Sequence, residues 1–282
     1  LKSSRSAQAA FDRESRRVEM PVCHLLYTLL LLLPLCNSVA QDDSCTVGPT
    51  GDASCSDLQQ ERPPRLAQIA ASFPACTDGG TVELLECVFK ELHLGTVTLG
   101  NVAEALGKAG TYGEVTTVGV AQMLSLVEGL GAPLGVDDVF ADLGSGLGKA
   151  VLQAFLSSKV GRAVGVELAE DRWSLASSAL QRLRQSLGGL GDSVNFHLAD
   201  LRSTEHWADA TVVYTASLCF PASLMMQISE LLAKTLQPGA VVLTLRRLPG
   251  CHRGLRHLGT RAIPTTWSQE STMNVYIRPP FE

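Results

Sequence analysis

Between Val139 and Lys149 the chain reads Val-Phe-Ala-Asp-Leu-Gly-Ser-Gly-Leu-Gly-Lys, an apolar run that ends on Asp142 and then places glycine at 144, 146 and 148. The apolar run predicts a strand, and the following stretch Ala150 to Phe155 predicts a helix. A side chain at any of the three glycines would hold a ligand off the main chain. The free N–H groups at the start of the helix can meet a carboxylate or a phosphate. The segment predicts a cofactor loop, and spacing decides among its ligands. A phosphate-binding loop needs Gly-x-x-x-x-Gly-Lys-Ser/Thr, but Leu143 stands five before Gly148 and Ala150 follows Lys149. A dinucleotide fingerprint needs Gly-x-Gly-x-x-Gly, and here the third glycine comes one residue early, which leaves less room for a pyrophosphate.

What remains, acidic-x-Gly-x-Gly-x-Gly at a strand end, resembles motif I of the class I S-adenosylmethionine methyltransferases, whose ligand ends in an amino acid. Asp142 then belongs near the cofactor's ammonium, and the loop near its carboxylate. Two more strand ends carry acids. Arg162 to Val166 leads into Glu167, about twenty residues past the loop, where a ribose diol is expected. Val194 to Leu198 leads to Asp200, which suits an adenine amino group. Taken alone, Glu167 reads more readily as a solvated residue before a helix, and Asp200 as an N-cap for the turn that follows. Three acids at three successive strand ends make the cofactor reading.

With 282 residues, 45% of them apolar and 18% charged, the chain can bury the core of one α/β domain with a smaller appendage. A net charge of −5 argues against general attraction to nucleic acid. The one basic cluster, Arg246, Arg247, Arg253, Arg256 and Arg261 with His252 and His257, reads as a solvated loop. Residues 1–40 are an upstream extension plus a signal-like segment. Leu25 to Leu35 is an apolar run too short for a stable membrane span, Ser38 and Ala40 suit a cleavage site, and Met20 is a candidate initiator. That predicts the secretory pathway or an organelle. Cys45, Cys55, Cys76 and Cys87 could form two disulfides in three connectivities and lack the paired spacing of a zinc site, so no metal is expected. Cys219 reads as a buried structural thiol.

Residues 41–64 form a polar linker ending in Pro63-Pro64. Helices are predicted at 66–73, 82–92 and 118–130, the last after Thr116-Thr117 as capping candidates. They define a helical N-terminal subdomain over 65–130, followed by a Rossmann-like domain over 131–282. Strands near 138–143, 162–167, 193–198, 211–215 and 240–245 alternate with helices near 148–157, 171–187 and 223–236, which implies a parallel sheet covered on both faces. Segments 261–263 and 274–278 could add an antiparallel edge pair. The fold class is therefore α/β, a mostly parallel seven-stranded sheet with a small helical N-terminal subdomain.

Tyr112-Gly113-Glu114-Val115, Val120-Ala121-Gln122-Met123, Asp142-Leu143-Gly144-Ser145-Gly146-Leu147-Gly148 and Val151-Leu152-Gln153 together resemble the disruptor of telomeric silencing family, the non-SET histone-lysine methyltransferases. Gly165-Val166-Glu167, Asp200, Trp207 and Thr266-Trp267 follow in the same order, so the likeness runs from about Tyr112 to Ile277. The resemblance implies S-adenosyl-L-methionine as cofactor. It implies Tyr112, Gly113, Glu114 and Val115 as a loop over the cofactor's methionine end, and Phe140, Ala141 and Asp142 through Lys149 as the main loop. It also implies Glu167 at the ribose and Asp200 with Leu201 at the adenine. The implied partner is a protein carrying the acceptor lysine, a histone or nucleosome among the choices, in the nucleus, without sequence-specific nucleic-acid binding.

Two positions depart from the family. Ala216-Ser217 stands where an Asn-Asn pair borders the lysine channel, and Asn274 stands at the channel tyrosine. Tyr276 shares its strand face and could substitute. Ser217, Trp267 and Tyr276 are thus the candidate catalytic residues, with Phe220 a second candidate wall beside Trp267. The departures keep open a methyltransferase for a small molecule or a non-histone protein, and a cofactor-binding module without turnover. A dehydrogenase is the outside alternative.

Overall fold

β1 (Val139–Leu143), β2 (Arg162–Glu167), β3 (Val194–Leu198), β4 (Val212–Thr215) and β5 (Val241–Thr244) run parallel, and β6 (Arg256–Thr265) and β7 (Ser268–Ile277) form an antiparallel hairpin. The order across the sheet is β3-β2-β1-β4-β5-β7-β6, with β7 antiparallel to β5. This computed structural model describes residues 63–76, 79–95, 113–131, 134–250 and 254–280, all within the compact unit Gln60–Glu282. The signal-like run, Cys45, Cys55, Tyr112, Cys251, His252 and Arg253 lie outside the described residues. Among the described residues no helix is long and apolar enough to cross a membrane.

Every residue of β1 is buried, as expected of a central parallel strand covered on both sides. Alternation divides the core. Phe140, Val212, Tyr214 and Leu243 face one layer, built from α3 (Thr117–Glu128), α4 (Lys149–Ser157) and α5 (Glu170–Leu187). Val139, Ala141, Leu143, Val213 and Tyr276 face the other, against Met225, Ile228 and Leu232 of α6 (Ala222–Thr235). The N-terminal α1 (Pro64–Ala70) and α2 (Thr81–Glu91) share the first layer's core through Leu66, Ile69, Leu85 and Val88. Arg65 fastens α1 to α4, donating to the carbonyls of Phe155 and Val160 at 2.9 and 2.6 Å with its guanidinium 4.0 Å from the Phe155 ring centre.

The expected strands and helices fall within a few residues of the observed ones. The hairpin is longer than predicted, because most of β6 is exposed and its Arg, His and Thr residues hide the strand period. Thr116 caps α3, its hydroxyl accepting from the Gly119 N–H at 3.1 Å. Cys76 and Cys87 form a disulfide that ties the 3-10 turn Pro74–Cys76 to α2. Cys219 corrects an expectation: it is a free, exposed thiol, because the short 3-10 turn Ser217–Cys219 carries it off the end of β4.

Candidate cofactor site

The three alternating glycines form a loop that other residues could adopt only under strain. Gly144, Gly146 and Gly148 have φ of +88°, +54° and +77°, a region that costs other residues about 1–2 kcal/mol each. Close packing adds to this at Gly148, where a Cβ would stand 2.3 Å from the Phe196 ring on β3. The loop is tied to β2: Gly144 and Ser145 donate N–H bonds to the Val166 carbonyl at 2.8 and 3.0 Å. Glu167, where β2 ends, accepts from the Gly146 N–H on one oxygen and the Ala169 N–H on the other, both at 2.8 Å. Its carboxylate braces the loop and keeps acceptor capacity for a hydroxyl.

A second segment is brought to the loop from far away in the chain. Val115 forms a β-bridge with Thr265 at the end of β6. Glu114 donates its N–H to the Thr266 hydroxyl at 3.1 Å and accepts from the Thr266 N–H at 2.8 Å. Gly113 lies against Trp267, whose ring stands 2.3 Å from where a Cβ would be. Only glycine can pass under that indole. Glu114 then crosses to the loop and pairs with Lys149, the first residue of α4, at 2.6 Å. The pair borders two spaces: a small hollow of about 30 Å³ over the glycine loop, and a wider cavity of about 520 Å³ toward α2, lined among the described residues by Glu86, Lys90 and Gln153.

The floor of the small hollow is polar and incompletely satisfied. Asp142 on β1 and Tyr214 on β4 are register partners on the same face of the sheet. Asp142 Oδ1, Ser145 Oγ and the Tyr214 hydroxyl are all buried without a hydrogen-bond partner. Buried polar atoms in native proteins are nearly always bonded, to protein, water or ligand, so unmet ones clustered at one place make it a candidate ligand site. Burial, then the Glu167 and Glu114 carboxylates, hold the Asp142 carboxyl well above the usual carboxylate range. Burial, then Asp142 and Glu114, push the Tyr214 phenol up as well. Three carboxylates face one lysine, so this place favours a cation and repels a diphosphate.

Gly113, Glu114, Val115, Asp142, Gly144, Ser145, Gly146 and Lys149 therefore meet around one hollow. Phe140, Ala141, Leu143 and Leu147 are buried around it as its framework. Asp200 and Leu201 lie beyond the end of β3. Asp200 is held by Arg202, whose N–H and Nε donate to its Oδ1 at 2.9 Å and whose Nη2 lies 2.5 Å from its Oδ2. The Leu201 carbonyl accepts from the Trp207 indole at 2.8 Å. Trp267 is 47% exposed above Gly113.

Ser217 and Tyr276 do not join this group. Ser217 is fully buried with its hydroxyl accepting from the Arg246 N–H at 3.1 Å. Tyr276 does share a face with Asn274, as the strand period requires, but that face packs on α6, and its hydroxyl accepts from the Leu248 N–H at 3.0 Å. Tyr214 was not anticipated. Its only signal is a hydroxyl-bearing residue in an otherwise apolar buried strand. Among the described residues no group of three or more His, Cys, Asp or Glu side chains could hold a metal.

Residues 105–266, more than half of the chain, match the family described as Histone methylation protein DOT1. The chain belongs to that family. It is the family that the Tyr-Gly-Glu and Asp-Leu-Gly-Ser-Gly segments resemble. The chain is 28% identical over 149 residues to a histone-lysine N-methyltransferase, H3 lysine-79 specific, of Caenorhabditis elegans, covering 49% of this chain and 15% of that one. It is 29% identical over 119 residues to a protein of the same description in Dictyostelium discoideum, covering 39% and 6%. It thus spans under a sixth of the length of either relative. Solved structures similar to it include TrmN from Thermus thermophilus, at a TM-score of 0.46 and 20% identity over 61% of this chain and 51% of that one. Another is magnesium protoporphyrin IX methyltransferase from Synechocystis with bound S-adenosylmethionine, at 0.44 and 13% over 76% and 97%.

Proposed function

We propose that this DOT1-family chain is an S-adenosylmethionine-dependent protein-lysine methyltransferase, with a histone or nucleosome as acceptor and the nucleus as its compartment. The observation that carries the reading is the buried, unpartnered Asp142 oxygen beside the Glu167 and Glu114 carboxylates, which suits an ammonium and disfavours a diphosphate. Asp142 takes the ammonium of the cofactor's amino-acid end. The glycine loop and Lys149 hold the carboxylate. Gly113 to Val115, pinned by Thr265, Thr266 and Trp267, cover that end and limit its exchange with water. Glu167 takes the ribose hydroxyls, and Asp200 with Leu201 adjoins the adenine.

When bound, S-adenosylmethionine supplies a sulfonium methyl, which bonds to the acceptor nitrogen as the carbon–sulfur bond breaks and its electron pair stays on sulfur. The acceptor lysine must first lose its proton to solvent. Phe220, which packs on Gly144, and Ala216, which lines the hollow, supply an apolar approach that favours the neutral amine. Three nearby carboxylates oppose that loss until a cation offsets them, which orders cofactor before acceptor. Fixed alignment supplies much of the rate.

Tritiated methyl transfer to nucleosomes, free histones and a metabolite extract tests this. Label on a protein lysine with wild-type chain, and none with Asp142→Asn, supports it; label confined to small molecules overturns the protein acceptor. A second reading, methylation of a non-histone protein in an oxidising compartment, is favoured by the Cys76–Cys87 disulfide, since such bonds rarely persist in the nucleus. Thiol trapping of the tagged full-length protein in its own cell decides between them: a disulfide-bonded pool outside the nucleus favours the second.

A further inference from the structure

The surroundings of the Tyr214 hydroxyl specify a role for it. Tyr214 is 1% exposed, its ring is part of the first layer's core, and its hydroxyl is unpartnered. It lines the hollow over the glycine loop. Its neighbour across the strand pair is Asp142, on the same face and one strand spacing away, about 4.8 Å. A phenol that merely filled space would be as well served by a phenyl ring. A buried hydroxyl left without a bond costs about 1–3 kcal/mol, so it is unfavourable until something in the hollow bonds to it.

The ligand fragment that matches two such neighbours carries opposite charges on one carbon. A carboxylate at Asp142 accepts from an ammonium, and a phenol beside it donates to a carboxylate. That is the head of an α-amino acid. The hollow's volume of about 30 Å³ suits a compact head of this kind, since about 10–15 Å³ admits one water. We propose that Tyr214 is a cofactor-contacting residue whose hydroxyl donates a hydrogen bond to the α-carboxylate of the cofactor's amino-acid end, beside the ammonium held by Asp142. This rests on the methyltransferase reading and adds to it a residue that reads the amino acid and not the nucleoside.

Calorimetry of the full chain and its Tyr214→Phe variant with two ligands tests it. S-Adenosylhomocysteine carries the amino-acid end, and 5′-methylthioadenosine lacks it. The variant should bind S-adenosylhomocysteine about tenfold to a hundredfold more weakly, the loss expected for a buried hydrogen bond to a charged group, while 5′-methylthioadenosine binds unchanged. The ligand-free variant should melt no lower than wild type, because only an unbonded hydroxyl has been removed. Unchanged affinity for S-adenosylhomocysteine, or an equal loss for both ligands, overturns the role for Tyr214 while leaving the methyltransferase reading intact. Wild-type chain that binds neither ligand overturns both.

Discussion

The floor of the hollow, where Tyr214 on β4 joins Asp142 on β1, and the turn past β4 together with β7 treat their polar groups in opposite ways. In the hollow Asp142 Oδ1, Ser145 Oγ and the Tyr214 hydroxyl are buried and unmet. Just past β4 and on β7 the polar groups are met from within. Ser217 bonds Arg246, Tyr276 bonds Leu248, Thr215 donates to the Leu143 carbonyl at 2.8 Å, and Asn274 donates to the Thr244 carbonyl at 3.3 Å. The first region stores unfavourable free energy that a ligand can release, and the second spends its hydrogen bonds on the fold. The difference separates polar groups left open to a ligand from those used by the fold, without reference to any relative.

The largest expected effect is at the loop. Gly148→Ala combines a left-handed φ with overlap on Phe196, so it should destabilise the chain by about 3 kcal/mol in urea unfolding. A variant as stable as wild type would break the claim that the loop is rigid. Next, Asp142→Asn should weaken S-adenosylhomocysteine binding on the order of a hundredfold and yet raise the melting temperature of the free protein near neutral pH. The sign follows from burial: folded Asp142 ionises above its ordinary 3.8, so its penalty grows as pH rises from 3.8 through the raised folded value and is fully present above it. A variant that both melts lower and binds normally would reverse the contrast between the two regions.

The satisfied region should respond the other way. Ser217→Ala and Tyr276→Phe should each cost about 1 kcal/mol of stability with no change in S-adenosylhomocysteine affinity. A methyl-transfer rate that collapses in either variant while stability holds would return that residue to the acceptor channel. Smallest of all is the stacked pair His197 and His206, whose rings lie 4.1 Å apart. Burial, then His206 and Arg162, hold the His197 imidazole below its ordinary 6.5. Its contribution is therefore complete above 6.5 and is lost as pH falls through the lowered folded value. Thermal melts across that range should show a slightly shallower acid limb in His197→Gln.

Much of this arrangement was legible in the chain. The glycines at 144, 146 and 148 announce themselves because only their backbone freedom permits the loop. The parallel strands show because a strand covered on both sides must be apolar throughout. Tyr276 shows where such reading stops: the period of two correctly pairs it with Asn274, but which layer that face meets depends on β7 lying antiparallel between β5 and β6. The burial expected of Cys219 fails for a similar reason, since a three-residue turn leaves no periodicity to read. Tyr214 escaped because its local pattern is that of any core strand residue, and only the register with Asp142 gives its hydroxyl a meaning. The bridge from Val115 to Thr265 spans 150 positions, beyond the reach of any window.

That bridge sets an order on biosynthesis. A ribosome delivers the glycine loop well before Thr265, so a growing chain holds the floor of the hollow while Gly113 to Thr116 still have nothing to be stitched to. The cover is thus fastened only once the last hairpin has emerged and folded back, and a nonsense mutation between Tyr214 and Thr265 yields a chain with the floor residues and no fastened cover.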